Sequence, residues 1–70
     1  MRITRETLTR IMIKLGLYGS KEAENLYQNL LPLTENDHTG PQAMAILYNV
    51  RDRVYPDLDV HLIAYECEIL

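Results

Sequence analysis

The sequence predicts an all-α fold: a compact bundle of three to four short helices formed by residues 1–70 as a single helical domain. Two observations carry that prediction. Apolar residues recur at helical spacing in each segment, and Gly16, Pro32 and Pro56 stop the segments where helices end. The alternative is three helices plus a C-terminal strand.

Residues 5–15 form the first segment. Leu8, Ile11, Met12 and Leu15 fall at i, i+3, i+4 and i+7, one apolar stripe. Thr4 suits the N-cap, Glu6 the positive end of the helix dipole, Lys14 the negative end, and Gly16 the stop. Arg10 and Lys14 lie one turn apart away from the stripe, so both are expected to face solvent or a partner.

Residues 21–31 form the second. Ser20 is the expected N-cap, with Glu22 and Glu24 in the first turn and a stripe of Ala23, Leu26, Tyr27 and Leu30. Pro32 ends it, because the residue before a proline avoids helical geometry. Residues 34–40 then read as a polar loop rich in turn formers. Pro41 fits the first turn of a third helix, with Ala43, Leu47, Val50 and Val54 inward and Gln42, Asn49, Asp52 and Arg53 outward.

Residues 57–70 admit two readings. Leu58, Leu62, Tyr65 and Ile69 make a helical stripe, whereas Ile63, Tyr65, Cys67 and Ile69 alternate with Ala64, Glu66 and Glu68 as in an amphipathic strand. Helix is preferred, because a strand has nothing evident to pair with beyond the very short segment 1–3. The expected core is Leu8, Ile11, Met12, Leu15, Leu26, Tyr27, Leu30, Leu47, Val50, Val54, Leu62 and Tyr65.

At 47% hydrophobic and 24% charged residues, the chain has the composition of a folded protein rather than a disordered one. Seventy residues bury only about 60% of the unfolded surface, so stability is marginal, and a single cysteine excludes an internal disulfide. One thiol suits a reducing compartment, the N-terminus has charges where a signal peptide needs an apolar run, and no stretch approaches the roughly 18 apolar residues of a membrane span. The expectation is a complete, untargeted, cytoplasmic protein.

Charge is laid out unevenly. Through Lys21 five cations face one acid, a net of +4; from Glu22 onward nine acids face two cations, a net of −7; together they give −3. Two opposed fields of this kind point to a charged partner or to self-association between chains.

No catalytic set stands out. Cys67 and His61 invite a nucleophile–base reading, but six helical residues separate them by about 240°, so the side chains diverge. Cys67 fits better as a small core residue. Asp57, Asp59, His61 and His38 lack metal-ligand spacing, and Glu35-Asn36-Asp37 lacks the calcium-loop pattern. No glycine-rich phosphate loop is present. The chain is therefore expected to be no enzyme and to need no cofactor or metal.

The first two segments could form a helix-turn-helix, with Arg10, Lys14, Lys21, Asn25 and Gln28 offered to DNA. Glu22 and Glu24 stand where phosphates would come closest, and the rest of the chain is acidic, so a helical hairpin is the preferred reading. Of the five tyrosines, Tyr27 and Tyr65 sit on apolar stripes and are expected in the core; Tyr18 and Tyr55 are expected exposed.

Two stretches carry a resemblance: Gly19-x-x-x-Ala23-Glu24-x-Leu26-Tyr27, and Asp59-Val60-x-Leu62-Ile63-Ala64. They are similar to segments of very small phage-encoded anti-CRISPR proteins. The likeness covers about a third of the chain, omits its middle, and consists mostly of amphipathic-helix pattern. It implies a non-catalytic inhibitor of a bacterial CRISPR effector complex, whose nucleic-acid channel is basic. The functional expectation is accordingly an inhibitor or adaptor whose acids Glu35, Asp37, Asp57, Asp59, Glu66 and Glu68 meet a basic protein surface. The alternative is a small helix-turn-helix regulator of DNA.

Overall fold

Thr4 starts the first helix as the sequence requires: its hydroxyl accepts the Thr7 N–H at 3.1 Å, and α1 runs Arg5–Lys14. The structure is a computed structural model that describes residues 1–17 and 19–69. Among these residues four further helices follow: α2 (Lys21–Leu30), α3 (Pro32–Glu35), α4 (Gly40–Arg53) and α5 (Val60–Glu66). Among the described residues there is no strand. The C-terminal segment is thus helical over Val60–Glu66, and the described residues form four full helices plus the single turn of α3.

The helices close a ring in which α1 touches α2 and α5, and α4 touches α2 and α5. Leu8, Ile11, Leu26, Leu30, Leu47 and Ile63 fill its centre, fully buried. Among the described residues those buried as whole residues are all apolar, Cys67 included.

The ends are capped by recognisable chemistry. Ser20 Oγ accepts the Ala23 N–H at 3.1 Å to start α2. Thr39 and Gln42 form a reciprocal capping box at α4: Thr39 Oγ1 accepts from Gln42 N at 3.2 Å, and Thr39 N donates to Gln42 Oε1 at 3.0 Å. Asp59 accepts the Leu62 N–H at 3.0 Å to start α5. Gly16 ends α1 at φ +72°, with Gly16 N donating to Ile13 O and Leu17 N to Met12 O. The same paired closure ends α5, but the left-handed position there is Glu68 at φ +57°.

Three sequence expectations need correction. Residues 34–40 are not all loop, because Pro32 begins α3 and buries Leu33. A proline suits a helix's first turn, and Leu31 before it keeps helical geometry at φ −54° and ψ −35° instead of avoiding it, so α2 runs almost directly into α3. Tyr65 is not core but 75% exposed. The inward stripe of α5 is Val60, Ile63, Ala64 and Cys67, with Leu62 half-buried, so the helix is rotated from the phase expected. Tyr55 is half-buried against the core rather than exposed. The expectation for Tyr18 lies outside the described residues. Segment 1–3 pairs with the α3 region instead of the C-terminus: Ile3 N donates to Leu33 O at 3.0 Å and His38 N to Met1 O at 2.7 Å.

Candidate functional site

The outer seam between α1 and α5 gathers the most concentrated polar chemistry. Arg10 and Lys14 project from the polar face of α1, and Glu66 from the last turn of α5. Arg10 Nε donates to Glu66 Oε2 at 3.3 Å, and Lys14 Nζ donates to Glu66 Oε1. The Glu66 side chain is only 9% exposed, while both cations remain about half exposed. The Lys14 hydrogen bond outweighs the opposing effect of burial and, with Arg10, holds the Glu66 carboxyl below its ordinary value. Arg10 and Lys14 face solvent as the spacing predicts, and in addition their charges reach across to α5 of the same chain. The two opposed charge fields meet here within one molecule, and again where the Met1 ammonium lies 3.7 Å from Asp37.

Around this cluster lies a concave surface of about 490 Å³ lined by residues 1–4, Thr7, Arg10 and residues 66–68. A separate, neighbouring concavity shares Arg10, Glu66 and Glu68 and is lined by Tyr65 as well. Glu68 is exposed in a backbone conformation that L-residues adopt at a penalty of about 1–2 kcal/mol. Cys67 is buried directly behind, its thiol pushed up to about 11 by burial and then by the Glu66 charge, so it stays protonated at neutral pH. His61 is exposed, so no Cys67–His61 pair forms.

The six candidate acids do not form one continuous face. Glu68 and the half-buried Glu66 belong to the seam, and Asp37 approaches it through Met1. Asp57 and Asp59 precede α5, a helix about 10 Å long, at the end opposite Glu66. Glu35 ends α3. Of the DNA-reading set, Lys21, Asn25 and Gln28 are exposed on α2, but Asn25 Oδ1 already accepts from Asn29 at 3.3 Å. Sequence reasoning missed Tyr65 as a surface residue. Its signal was the competing stripe Val60, Ile63, Ala64 and Cys67, whose phase turns Tyr65 outward.

Among the described residues no three His, Cys, Asp or Glu side chains gather as a metal site, and no helix is long and apolar enough to cross a membrane. Fold and seam together define a small helical domain with a mixed-charge, aromatic surface. Compared with protein-family models, with curated proteins and with solved structures, the chain matches none.

Proposed function

We propose that this chain is a non-catalytic protein-binding inhibitor or adaptor that meets a basic surface on a nucleic-acid-binding complex. The observation that carries this reading is Tyr65, a large aromatic left 75% exposed beside Glu68 at positive φ. Tyrosine is over-represented among residues that dominate binding energy. A strained acid where glycine would relax the backbone is the kind of feature that function retains against stability. The exposed acids Glu35, Asp37, Asp57 and Asp59 extend a negative field around the molecule, which steers a basic partner and fixes its orientation.

The regulator reading calls on Arg10, Lys14, Lys21, Asn25 and Gln28. Two of its three cations are engaged by Glu66, and the third is followed by Glu22 and Glu24. Phosphates would have to displace an internal carboxylate, so the observations favour a protein partner. The resemblance to phage anti-CRISPR proteins supports a bacterial CRISPR effector as the kind of complex bound.

Charge reversal tests the reading. Replacing Glu35, Asp37, Asp57 and Glu68 by Lys is expected to abolish capture of the partner from a nuclease-treated bacterial lysate, with the far-UV spectrum unchanged. The reading is overturned if the wild type captures no protein there and instead binds a labelled DNA duplex with steep salt dependence.

A further inference from the structure

A second concavity, of about 320 Å³, lies between α1 and α2, away from the seam. Met12 and Ala23 are its buried floor, Tyr27 is half-buried in its wall, and Gly19 and Ser20 also line it. Gly19 and Glu24 are its exposed edge, and Thr9 is half-buried. The lining is predominantly apolar, and among the described residues Glu24 is its one charged group. Among the described residues Glu24 makes no ion pair within the chain. An apolar floor with a polar rim is the anatomy of a protein-binding patch.

We propose that this groove receives an amphipathic segment of a partner protein. An apolar anchor side chain rests on Met12, Ala23 and Tyr27, and a lysine or arginine close by in that segment pairs with Glu24. The volume lies at the low end of the roughly 300–1,000 Å³ typical of ligand pockets, room for one or two large side chains. A second copy docked groove to groove is the poorer fit, because a twofold contact sets the same patch against itself and so brings Glu24 onto a lining that holds no cation among the described residues. The sign of the rim selects the occupant: an unpaired carboxylate beside apolar surface favours a cation beside an apolar anchor and disfavours an acid. The proposal rests on the protein-binding reading and names the chemistry of one contact.

The test is an NMR titration of the isotope-labelled full chain with three 12-residue helical peptides. The first carries leucines at i, i+3, i+4 and i+7 with lysines between; the second replaces lysine by glutamate; the third replaces leucine by alanine. The first is expected to shift the resonances of Thr9, Met12, Ala23, Glu24 and Tyr27. Changing lysine to glutamate should weaken binding about fivefold, the scale of an exposed ion pair. Losing the leucines should weaken it about thirtyfold, the scale of a buried anchor. Glu24→Lys, at an exposed site, should invert the charge preference, and Glu24→Gln should erase it. The proposal is overturned by shifts that fall outside the groove, by a preference that Glu24→Lys leaves unchanged, or by groove shifts that depend on protein concentration without peptide, which would make a second copy the occupant. If Glu24→Lys leaves peptide preference and partner capture intact while reversal of Glu35, Asp37, Asp57 and Glu68 abolishes capture, the groove proposal fails and the protein-binding reading stands. If the peptides behave as expected while the lysate yields no protein partner, the protein-binding reading is the one that fails.

Discussion

Glu68→Gly should make this protein more stable. Glu68 occupies the left-handed position that closes α5, at φ +57°, with Glu68 N donating to Tyr65 O at 3.1 Å and Ile69 N to Ala64 O at 2.8 Å. An L-residue there is strained by about 1–2 kcal/mol, whereas glycine is not. Glycine's greater freedom in the unfolded chain offsets part of the relief, so the net gain is about 1 kcal/mol. For a domain of this size that raises the melting temperature by about 4–8 °C. Gly16, in the same role at φ +72°, provides the reciprocal control: a Cβ there meets nothing within 4 Å, so Gly16→Ala should destabilise by backbone strain alone, by about 1–2 kcal/mol. Thermal unfolding followed by circular dichroism reads both. A Glu68→Gly variant that melts at or below the wild-type temperature, or a Gly16→Ala variant that melts above it, would refute the reasoning.

Other perturbations have equally definite outcomes. Leu47→Ala, at a fully buried position, should remove roughly 2–5 kcal/mol, a large part of the roughly 4–10 kcal/mol available to a domain this small, and chemical denaturation will measure it. Thr39→Ala breaks the capping box of α4 and should destabilise by about 1 kcal/mol in the same assay, while Gln42→Ala should lose less. Because the folded Glu66 carboxyl titrates below its ordinary 4.5, its stabilising contribution is complete above that pH and is lost as pH falls through the folded value. Glu66→Gln should therefore flatten the fall in stability below pH 4.5, as denaturation at several pH values would record. The Cys67 thiol, raised from 9.0 to about 11, should react with a thiol reagent at least about a hundredfold more slowly in the folded protein than in denaturant at neutral pH.

Much of the fold was legible because local chemistry and burial agree along most of the chain. In α1, α2 and α4 the apolar stripe, the cap or turn residue and the stop all point the same way, and the buried residues there follow the expected spacing. Thr39-x-x-Gln42 is also a readable capping signal, although its residues pass easily for loop and polar face. In α5 the chain is apolar in two phases, so Leu58-Leu62-Tyr65-Ile69 and Val60-Ile63-Ala64-Cys67 compete. Only packing against α1 and α4 decides which turns inward. The candidate site was less legible, because its parts are remote in sequence. Glu66 meets Lys14 and Arg10 across 52 and 56 residues, and no local pattern announces that pairing. The left-handed turn at Glu68 carries no glycine or asparagine to mark it. Exposed charges such as Glu35 and Asp57 were readable as charges but not as a surface, since their placement depends on how the ring of helices closes.

Paired capture with the wild-type chain and Tyr65→Ala tests the central claim most directly. Each is immobilised and exposed to nuclease-treated bacterial lysate, and the bound proteins are quantified by mass spectrometry. Tyr65 is 75% exposed, so its replacement leaves the core intact and any change in capture reports the surface. The account predicts that the wild type retains a basic, nucleic-acid-binding protein or complex, and that Tyr65→Ala binds it about thirtyfold more weakly, as loss of a central aromatic anchor does. Retention of no protein by the wild type, or equal retention by both chains, would contradict it.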